Sequence, residues 1–234
     1  MTQKIAIILA RSGSKGIPKK NLTKIKEHSL LGYAILSALG SEVFDRVIVS
    51  TDGQEIAQEA QKYGAEVIMR PVDLASDNAS SISGVVHALD NLNIEKGTVC
   101  LLQATSPLRT AKHIQEAYKM WSIQNQGCVV SACESEHHPY KFLIETNNEY
   151  LPIHDLRDLE SPRQKLSKAY RPNGAIYFNR IEEIMEKQRF FISPINLYIM
   201  SEEDSVDIDT MNDIQRAEQI LEKRMSHQDS SVSV

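Results

Sequence analysis

A run of basic residues, interleaved with small ones, directly follows the first apolar stretch of the chain. Residues 11–21 read R-S-G-S-K-G-I-P-K-K-N, so that Arg11, Lys15, Lys19 and Lys20 alternate with glycine and serine. Glycines permit backbone angles that aim several N–H groups into one concavity, and such nests bind anions. Cations on both sides could neutralise a polyphosphate, although a solvated basic turn has the same composition. The spacing matches neither the Walker A pattern nor G-x-G-x-x-G.

Two aspartates in alternation form a second candidate site. Asp207 and Asp209 lie in S-V-D-I-D-T, just before a helical pattern that begins at Met211. Alternate residues of an extended segment point to the same side, and paired carboxylate oxygens suit Mg²⁺, which takes its other ligands from water and substrate phosphates. An equally good interpretation makes Asp209 the N-cap of the following helix and leaves Asp207 merely exposed. A phosphate-binding loop elsewhere in the chain favours the metal site.

Arginines near residues 163–174 form a third candidate. Arg163 precedes Gln164, and Arg171 stands in R-P-N-G with Asn173. Arginine offers a planar fork that binds carboxylate or phosphate through two hydrogen bonds. The alternative is a charged, solvated arm. Phe190 and Phe191, which follow a short helical pattern, are more typical of a core than of a ligand-stacking site.

Composition bounds the possible partners. The 234 residues carry a formal net charge of −5, with 41% hydrophobic and 24% charged residues. An acidic chain with one basic loop argues against nucleic-acid binding and favours a small anionic substrate. No apolar stretch approaches the 18 residues of a membrane span, and we expect no signal peptide. Cys100, Cys128 and Cys133 have no zinc-ligand spacing, and free thiols favour a cytoplasmic location.

Apolar strands alternate with amphipathic helices through most of the chain. This alternation predicts an α/β fold with a mostly parallel sheet and helices on both faces. The pattern predicts strands at residues 5–9, 46–51, 65–70, 98–102, 127–132, 174–179 and 197–200. It predicts helices at residues 30–39, 54–63, 80–92, 111–123, 181–187 and 211–225. Ligands bind at the carboxyl ends of parallel strands, which gathers the basic loop, Thr51-Asp52, Arg70, residues 103–109 and Asn179 at one rim.

The alternation stops between residues 134 and 172. This segment is polar and rich in proline and charge, with only short β-like pieces, and it is too long for an ordinary connection. We interpret it as an inserted arm that packs on a second subunit. The chain then divides into an α/β domain at 1–133 and 173–225, an arm at 134–172, and a small polar tail at 226–234 that we expect to be disordered.

Several motifs in order resemble one family. Residues 8–21 closely resemble the signature of the CMP-sialic acid synthetases, or acylneuraminate cytidylyltransferases. The resemblance covers nearly the whole chain, with the single-domain bacterial members as the closest in form. It extends over residues 44–53, 74–85, 101–110, 131–139, 159–164, 171–177, 190–192 and 197–210.

Family resemblance implies a Rossmann-like, three-layer nucleotidyltransferase with a small dimerisation arm. It implies Mg²⁺-dependent transfer of CMP from CTP to the anomeric hydroxyl of N-acetylneuraminic acid, with release of pyrophosphate, as a step towards capsule or lipopolysaccharide decoration. Legionaminic or pseudaminic acid is an alternative acceptor. A Kdo cytidylyltransferase is less consistent with the loop, which reads S-G-S-K-G-I-P-K-K-N rather than the S-R-x-P-G-K of that relative. A non-catalytic nucleotide-binding protein is the alternative from another class.

The resemblance also implies residue roles. Nucleotide contacts fall to Arg11, Ser14, Lys15, Lys20, Asn21, Arg70, Asp77 and Ser81. Contacts to the sugar acid fall to Gln103, Lys141, Arg163, Arg171, Asn173, Tyr177, Phe190 and Phe191, with Lys141 and Arg163 reaching the site of the partner in a homodimer. Asp207 and Asp209 would bind Mg²⁺, and Arg11, Lys20, Arg163 and Asp209 would act directly in the reaction. Lys20 is favoured over Lys19 because it adjoins Asn21.

Overall fold

The computed structural model of the protein describes residues 2–14, 16–124 and 126–231. These residues form one seven-stranded sheet, two small hairpins and flanking helices. The strands are β1 Gln3–Leu9, β2 Lys24–Ile25, β3 His28–Ser29, β4 Arg46–Thr51, β5 Glu66–Met69, β6 Gly97–Leu101, β7 Cys128–Glu134, β8 Leu143–Thr146, β9 Glu149–Pro152, β10 Tyr170–Arg180 and β11 Ile195–Ile199. The α-helices are α1 Leu30–Gly40, α2 Gln54–Lys62, α3 Ser81–Leu92, α4 Ala111–Gln124, α5 Leu156–Glu160, α6 Ile181–Lys187 and α7 Met211–Ser231.

The central sheet has the order β11-β7-β10-β6-β1-β4-β5. Strand β1 pairs in parallel with both β4 and β6, and β4 with β5. Only β10 runs antiparallel, between β6 and β7, while the edge strand β11 is parallel to β7. The predicted α/β fold with a mostly parallel sheet is therefore confirmed.

Alternation along β1 divides the core into two layers. Ala6 and Ile8 face α1, α2 and α4, whereas Ile5 and Ile7 face α3 and α6, and all four are fully buried. Because both faces of the sheet are covered, β1 is a continuous apolar run rather than an alternating one. Burying each isoleucine contributes roughly 1.5–3 kcal/mol relative to leaving it exposed. This packing fixes the position of β1 between the helix layers, and with it the point at which the following loop leaves the sheet.

The strands that flank the arm run further than the sequence predicts. Strand β7 continues to Glu134, and β10 begins at Tyr170, which pairs with it. A register shift between Pro172 and Tyr177 interrupts the pairing. Such a bulge accommodates a proline inside a strand, which is why the local sequence predicts a loop there. The arm outside the central sheet thus comprises residues 135–169.

The arm carries a hairpin that the sequence analysis did not assign. Strands β8 and β9 pair antiparallel through Asn147 and Asn148, whose φ angles of 54° and 64° are typical of a type I′ turn. Seven large apolar side chains of the arm are exposed, namely Phe142, Leu143, Ile144, Tyr150, Leu151, Ile153 and Leu156, while Leu159 and Leu166 are half-buried. Among the described residues, 135–169 contribute no apolar side chain to the buried core. The arm therefore has no apolar core of its own.

Helix α7 extends to Ser231, six residues beyond the predicted end at Met225. Residues 226–231 contain neither glycine nor proline, so nothing in their sequence stops the helix. The remainder of the predicted disordered tail, 232–234, lies outside the described residues. Among the helices that the structure describes, none is both long and apolar enough to cross a membrane.

Candidate active site

A cavity of about 500 Å³ opens at the carboxyl ends of β1, β5 and β6. This volume lies within the range of small-molecule sites. The lining brings together ten of the residues that the sequence analysis singles out: Arg11, Ser14, Lys20, Asn21, Arg70, Asp77, Ser81, Gln103, Asp207 and Asp209. Nine of these ten are nucleotide or metal candidates and Gln103 is a sugar-acid candidate; the remaining nucleotide candidate, Lys15, lies outside the described residues.

The basic loop, residues 10–21, is anchored to the end of β4 by one carboxylate. Asp52 accepts hydrogen bonds from the backbone N–H of Ser12 at 2.8 Å and from its hydroxyl at 2.5 Å. Gly53 permits this approach, because a Cβ there would lie 3.0 Å from the Ser12 Cβ. Burial raises the pKa of Asp52, but the hydrogen bonds from Ser12 and the nearby Arg70 charge bring that pKa below its ordinary value. Asp52 is thus an ionised anchor for the loop.

The two glycines of the basic loop differ in their surroundings. Gly13 does not adopt the left-handed backbone that commonly forms an anion-binding nest, and a Cβ there would meet nothing within 4 Å. Gly16 allows close approach, because a Cβ would lie 2.8 Å from the carbonyl oxygen of Asp209. Lys19 has a positive φ of 52°. Because Lys15 lies outside the described residues, the anion-binding nest stays a prediction.

The two adjacent lysines point to different places. Lys20 lines the cavity and donates to the Ile208 carbonyl at 2.9 Å and to the Asp209 carboxylate at 3.1 Å. Lys19 forms an ion pair with Glu55 at 2.6 Å and lines a separate pocket. A cation available to a ligand in the main cavity is therefore Lys20 rather than Lys19.

Two arginines occupy the nucleotide side of the cavity. Arg11 forms an ion pair with Asp77 at 2.7 Å, which joins the basic loop to the loop after β5. Arg70 is buried, and this burial lowers its pKa, while Asp52 raises it and Arg11 lowers it further. Gly84 on α3 makes room for Arg70, because a Cβ would lie 3.0 Å from its Nη1. Two cations thus face the cavity from the ends of β1 and β5, which flank β4 in the sheet.

The first turn of α3 also reaches the cavity. Ser80 caps the helix by accepting from the Ser83 amide at 3.2 Å, and Ser80 and Ser81 both line the cavity. The N-terminus of a helix carries unpaired N–H groups and a partial positive charge, which favour an anion. This charge adds to that of Arg11 and Arg70.

Asp207 and Asp209 lie opposite, on a segment held to the loop after β6. The Ile208 amide donates to the Thr105 carbonyl at 2.9 Å, and Ile208 is fully buried. Burial raises the pKa of Asp207; a hydrogen bond from Thr105 lowers it, and the Asp209 charge raises it again. In the described part of the chain, Asp207 Oδ1 has no hydrogen-bond partner. One carboxylate oxygen is therefore left unsatisfied beside the cavity.

The N-cap interpretation of Asp209 is wrong. Helix α7 is capped by Thr210 and Asp213: the Asp213 carboxylate accepts from the Thr210 amide at 2.7 Å, and the Asp213 amide donates to the Thr210 hydroxyl at 3.4 Å. This reciprocal arrangement is a capping box. The Asp209 carboxylate does not take part in it and instead pairs with Lys20.

Residues predicted for the sugar acid are only partly brought together. Gln103 lines the cavity. Tyr177 contacts Phe190 and Phe191 at ring distances of 5.6 and 6.0 Å, and the nearby Asp207 charge adds to burial in raising its pKa. These three rings form a cluster outside the lining of the cavity.

Asn173 is occupied by internal contacts. Its Oδ1 accepts from the Ser131 hydroxyl at 2.6 Å and the Ala175 amide at 3.2 Å, while its Nδ2 donates to Ser205 at 2.8 Å. The side chain is buried. Asn173 therefore joins β7, β10 and the turn before Asp207.

The arm candidates lie away from the cavity of their own chain. Lys141 donates to the Leu159 carbonyl at 3.0 Å, and Arg163 donates to the Ser135 carbonyl at 2.9 Å. Arg171 is exposed on β10. None of the three lines the cavity.

Three residues that the sequence analysis placed at the rim of the sheet were given no role there. Asp52 anchors the basic loop, Thr105 hydrogen-bonds Asp207, and Arg109 is buried beneath the loop after β6. Asp52 and Arg109 do follow strand ends, where the topology places ligand sites, but their partners are far away in sequence. Thr105 has no distinguishing local signal.

The chain is similar to known proteins over nearly its whole length. A family model described as Cytidylyltransferase matches residues 5–231. N-acylneuraminate cytidylyltransferase of Escherichia coli is 38% identical over 226 residues, which cover 95% of this chain and 53% of that protein. Pseudaminic acid cytidylyltransferase of Campylobacter jejuni is 34% identical over 220 residues, covering 91% and 94%. The chain thus spans about half the length of the first relative and nearly all of the second.

A solved structure shares the fold. The CMP:2-keto-3-deoxy-manno-octonic acid synthetase complexed with CTP superposes with a TM-score of 0.72, covering 95% of this chain and 100% of the other, at 16% identity. The resemblance of the sequence motifs to acylneuraminate cytidylyltransferases is confirmed by the curated relatives. With a family match over nearly its whole length, this chain belongs to the cytidylyltransferase family.

Proposed function

We propose that this protein transfers CMP from CTP to the anomeric hydroxyl of N-acetylneuraminic acid, giving CMP-sialic acid and pyrophosphate. The observation that carries the proposal is the cavity in which Arg11, Lys20 and Arg70 meet the Asp207–Asp209 pair. The name of the Escherichia coli relative supports the same acceptor.

The charges of the two substrates explain why several basic side chains line the cavity. CTP carries about four negative charges and the sugar acid one more, so the reactants repel each other until a site neutralises them. Arg11, Arg70 and the N-terminus of α3 supply positive potential on one side, and Lys20 supplies it on the other. Arg11 and Lys20 pair with Asp77 and Asp209, so a triphosphate that contacts either cation would compete with these carboxylates.

The acidic pair fits Mg²⁺. Asp207 has an unsatisfied buried oxygen, and Asp209 lines the same cavity without capping a helix. In the described part of the chain, no group of three or more histidine, cysteine or acidic residues could hold a metal. A pair suits a cation that takes its remaining ligands from water and phosphate oxygens. When bound, Mg²⁺ would neutralise phosphate charge and polarise the phosphoryl group.

The chain itself acts mainly by placement. The anomeric oxygen of the sugar attacks the α-phosphorus of CTP, the bond to the β-phosphate oxygen breaks, and pyrophosphate departs while the hydroxyl loses its proton. Catalysis of such transfers consists chiefly of alignment and charge stabilisation. Arg11, Ser14 and Lys20 would hold the triphosphate, with Asn21 supporting the loop and the ribose. Arg70 and Ser81 would hold the cytidine, and Gln103 the sugar acid.

The arm supports a homodimer. Its exposed apolar side chains and its lack of a core require a covering surface, and Lys141 and Arg163 would then reach the site of the partner and contact the sugar carboxylate. The three cysteines are buried free thiols, in keeping with a cytoplasmic enzyme.

Pseudaminic acid is the second candidate acceptor. The observation that favours it is length: this chain covers 94% of the Campylobacter jejuni relative named for that acid, against 53% of the Escherichia coli relative. Small substituent differences change affinity by only about 1–3 kcal/mol, so both acids could be accepted to different extents.

Pyrophosphate release from CTP with Mg²⁺ tests the proposal. N-acetylneuraminic, legionaminic, pseudaminic and Kdo acids are assayed in parallel, with Asp209→Ala as the matched inactive control. We expect the highest kcat/KM with N-acetylneuraminic acid. Pyrophosphate release with pseudaminic acid alone would make that acid the acceptor instead of N-acetylneuraminic acid. CTP binding without pyrophosphate release in the presence of any of the four acids would favour a non-catalytic nucleotide-binding protein.

A further inference from the structure

Arg109 is a buried cation that the proposed reaction leaves without a role. It is 2% exposed, and among the described residues no acidic side chain forms an ion pair with it. Burial lowers the pKa of Arg109 to about 10, so it stays charged at neutral pH. A buried charge without a counter-charge is costly unless its N–H groups are well engaged. In the described part of the chain Nη2 has no hydrogen-bond partner, so the contacts of Nε and Nη1 must account for the buried group.

Those hydrogen bonds join two segments beside the cavity. Nη1 donates to the carbonyl of Gln103 at 3.0 Å and to the carbonyl of Ala175 at 2.9 Å. Nε donates to the Ser37 hydroxyl at 3.3 Å, which ties the group to α1. The guanidinium thus links Gln103, in the loop after β6, to the bulged part of β10.

The same two segments also touch through a glycine. Gly174, next to Ala175, has a φ of 79°, and a Cβ there would lie 2.0 Å from Oε1 of Gln103. The Gln103 side chain is therefore set against the β10 backbone with no space between them. A shift of β10 relative to the loop would move the one predicted sugar contact that lines the cavity.

We infer that Arg109 is a positioning residue that holds Gln103 in place at the cavity by joining its carbonyl to that of Ala175. The identity of the affected ligand, the sugar acid, rests on the proposed function. Arginine suits the task because Nη1, which bridges both carbonyls, lies one bond further from the backbone than a lysine nitrogen would reach.

Arg109→Lys keeps the charge but ends one bond short of Nη1, the atom that bridges the two carbonyls. We expect the KM for the sugar acid to rise about tenfold, with the KM for CTP within twofold of wild type. Ser37→Ala is the matched control: it removes only the contact to α1 and should leave both KM values within twofold. Equal rises in both KM values, or no change in a folded Arg109→Lys protein, would overturn the inference.

Gly174→Ala tests the same link without touching the buried cation. The added methyl group displaces the Gln103 side chain, so the KM for the sugar acid should again rise selectively. In the double variant the two rises should not multiply, because both act on one side chain. A normal KM for the acid in Gly174→Ala, or fully multiplicative rises, would contradict the positioning role.

Hydrogen exchange separates this inference from the proposed function. The amides of Ser106 and Arg109 bond within the loop, to Gln103 and Ser106 respectively. We expect both to exchange faster in Arg109→Lys than in Ser37→Ala, in the absence of any substrate. Failure of the wild-type protein to release pyrophosphate would refute the proposed function, while unchanged exchange would refute the role of Arg109.

Discussion

The cavity and the arm are built in opposite ways. The cavity is assembled within one chain, from loops at neighbouring strand ends that are held together by Asp52, by the Arg11–Asp77 and Lys20–Asp209 pairs, and by the buried segment at Ile208. The arm, residues 135–169, has a hairpin and short helices but no buried apolar side chain among the described residues. One region is complete, and the other lacks a surface to pack on.

This difference also separates most of the residues predicted for CTP from most of those predicted for the sugar acid. The cations and carboxylates predicted for CTP lie in one cavity, whereas Lys141, Arg163 and Arg171, predicted for the sugar acid, lie outside it. A single chain should therefore bind nucleotide, while the acceptor should depend on the neighbouring subunit. Changes in the cavity and in the arm should consequently have different kinetic signatures.

The largest effect should come from the acidic pair. Asp209→Ala should lower kcat by at least about a hundredfold, because it removes a proposed ligand of the Mg²⁺ that would neutralise charge on the reacting phosphate. Its free energy of unfolding should stay within about 0.5 kcal/mol of wild type, since Thr210 and Asp213 cap α7. Denaturant unfolding and pyrophosphate release measure the two quantities.

Thr210→Ala is the control, with the opposite profile: it should lose about 1 kcal/mol of stability and keep its turnover. An Asp209→Ala protein that is destabilised to a similar extent and remains active would restore the capping interpretation.

A smaller, acceptor-specific effect should follow from the arm. Arg163→Ala should raise the KM for the sugar acid about thirtyfold, roughly 2 kcal/mol for a lost charged contact, and leave the KM for CTP unchanged. Lys165→Ala, two residues away, is the matched control and should behave as wild type.

Mixed dimers test whether Arg163 acts across subunits. When Arg163→Ala and Asp209→Ala chains are coexpressed with different tags and purified as heterodimers, one site regains both Asp209 and a partner arginine. We expect about half of the wild-type activity. If the heterodimer is as impaired as its parents, the arm serves its own chain.

The smallest effect concerns the anchor of the basic loop. Asp52→Asn keeps one acceptor for Ser12 and loses the other, which should reduce stability by about 1–2 kcal/mol at pH 7 and raise the KM for CTP severalfold. Because the folded pKa of Asp52 is lowered, its contribution is complete above the unfolded value of about 4 and disappears as pH falls through the folded pKa. The difference between the proteins should therefore vanish in acid.

Asp45→Asn provides a comparison at the other end of β1, where Asp45 accepts from the Lys4 amide at 2.7 Å. It should reduce stability without changing the KM for CTP. An equal change in KM for both variants would mean that Asp52 supports the fold rather than the loop.

The sequence predicts what local pattern controls. Buried strands appear as β-branched runs, and helices such as α6 end where the pattern does. The direction of β10 was not assigned, because a strand buried between two neighbours has the same composition in either direction. The β8–β9 hairpin was missed although Asn147-Asn148 is a usable turn signal.

The candidate site was predicted in its membership rather than its contacts. The rule for strand ends and the resemblance of motifs brought Arg11, Lys20 and Asp209 to one rim. The pairings of Arg11 with Asp77, of Ser12 with Asp52 and of Lys20 with Asp209 connect residues far apart in sequence. No local pattern encodes such pairs, since they depend on how the loops fold over the sheet.

The position of the antiparallel strand β10 has a consequence for folding during synthesis on the ribosome. Strands β6 and β7 can pair with β10 only after the whole arm has been synthesised, because β10 follows the arm in the chain. Until then the nascent protein displays one open edge of β6 and an unpartnered, apolar β7. Open edges of this kind recruit other chains, so translation speed through the arm sets the time during which aggregation competes with folding.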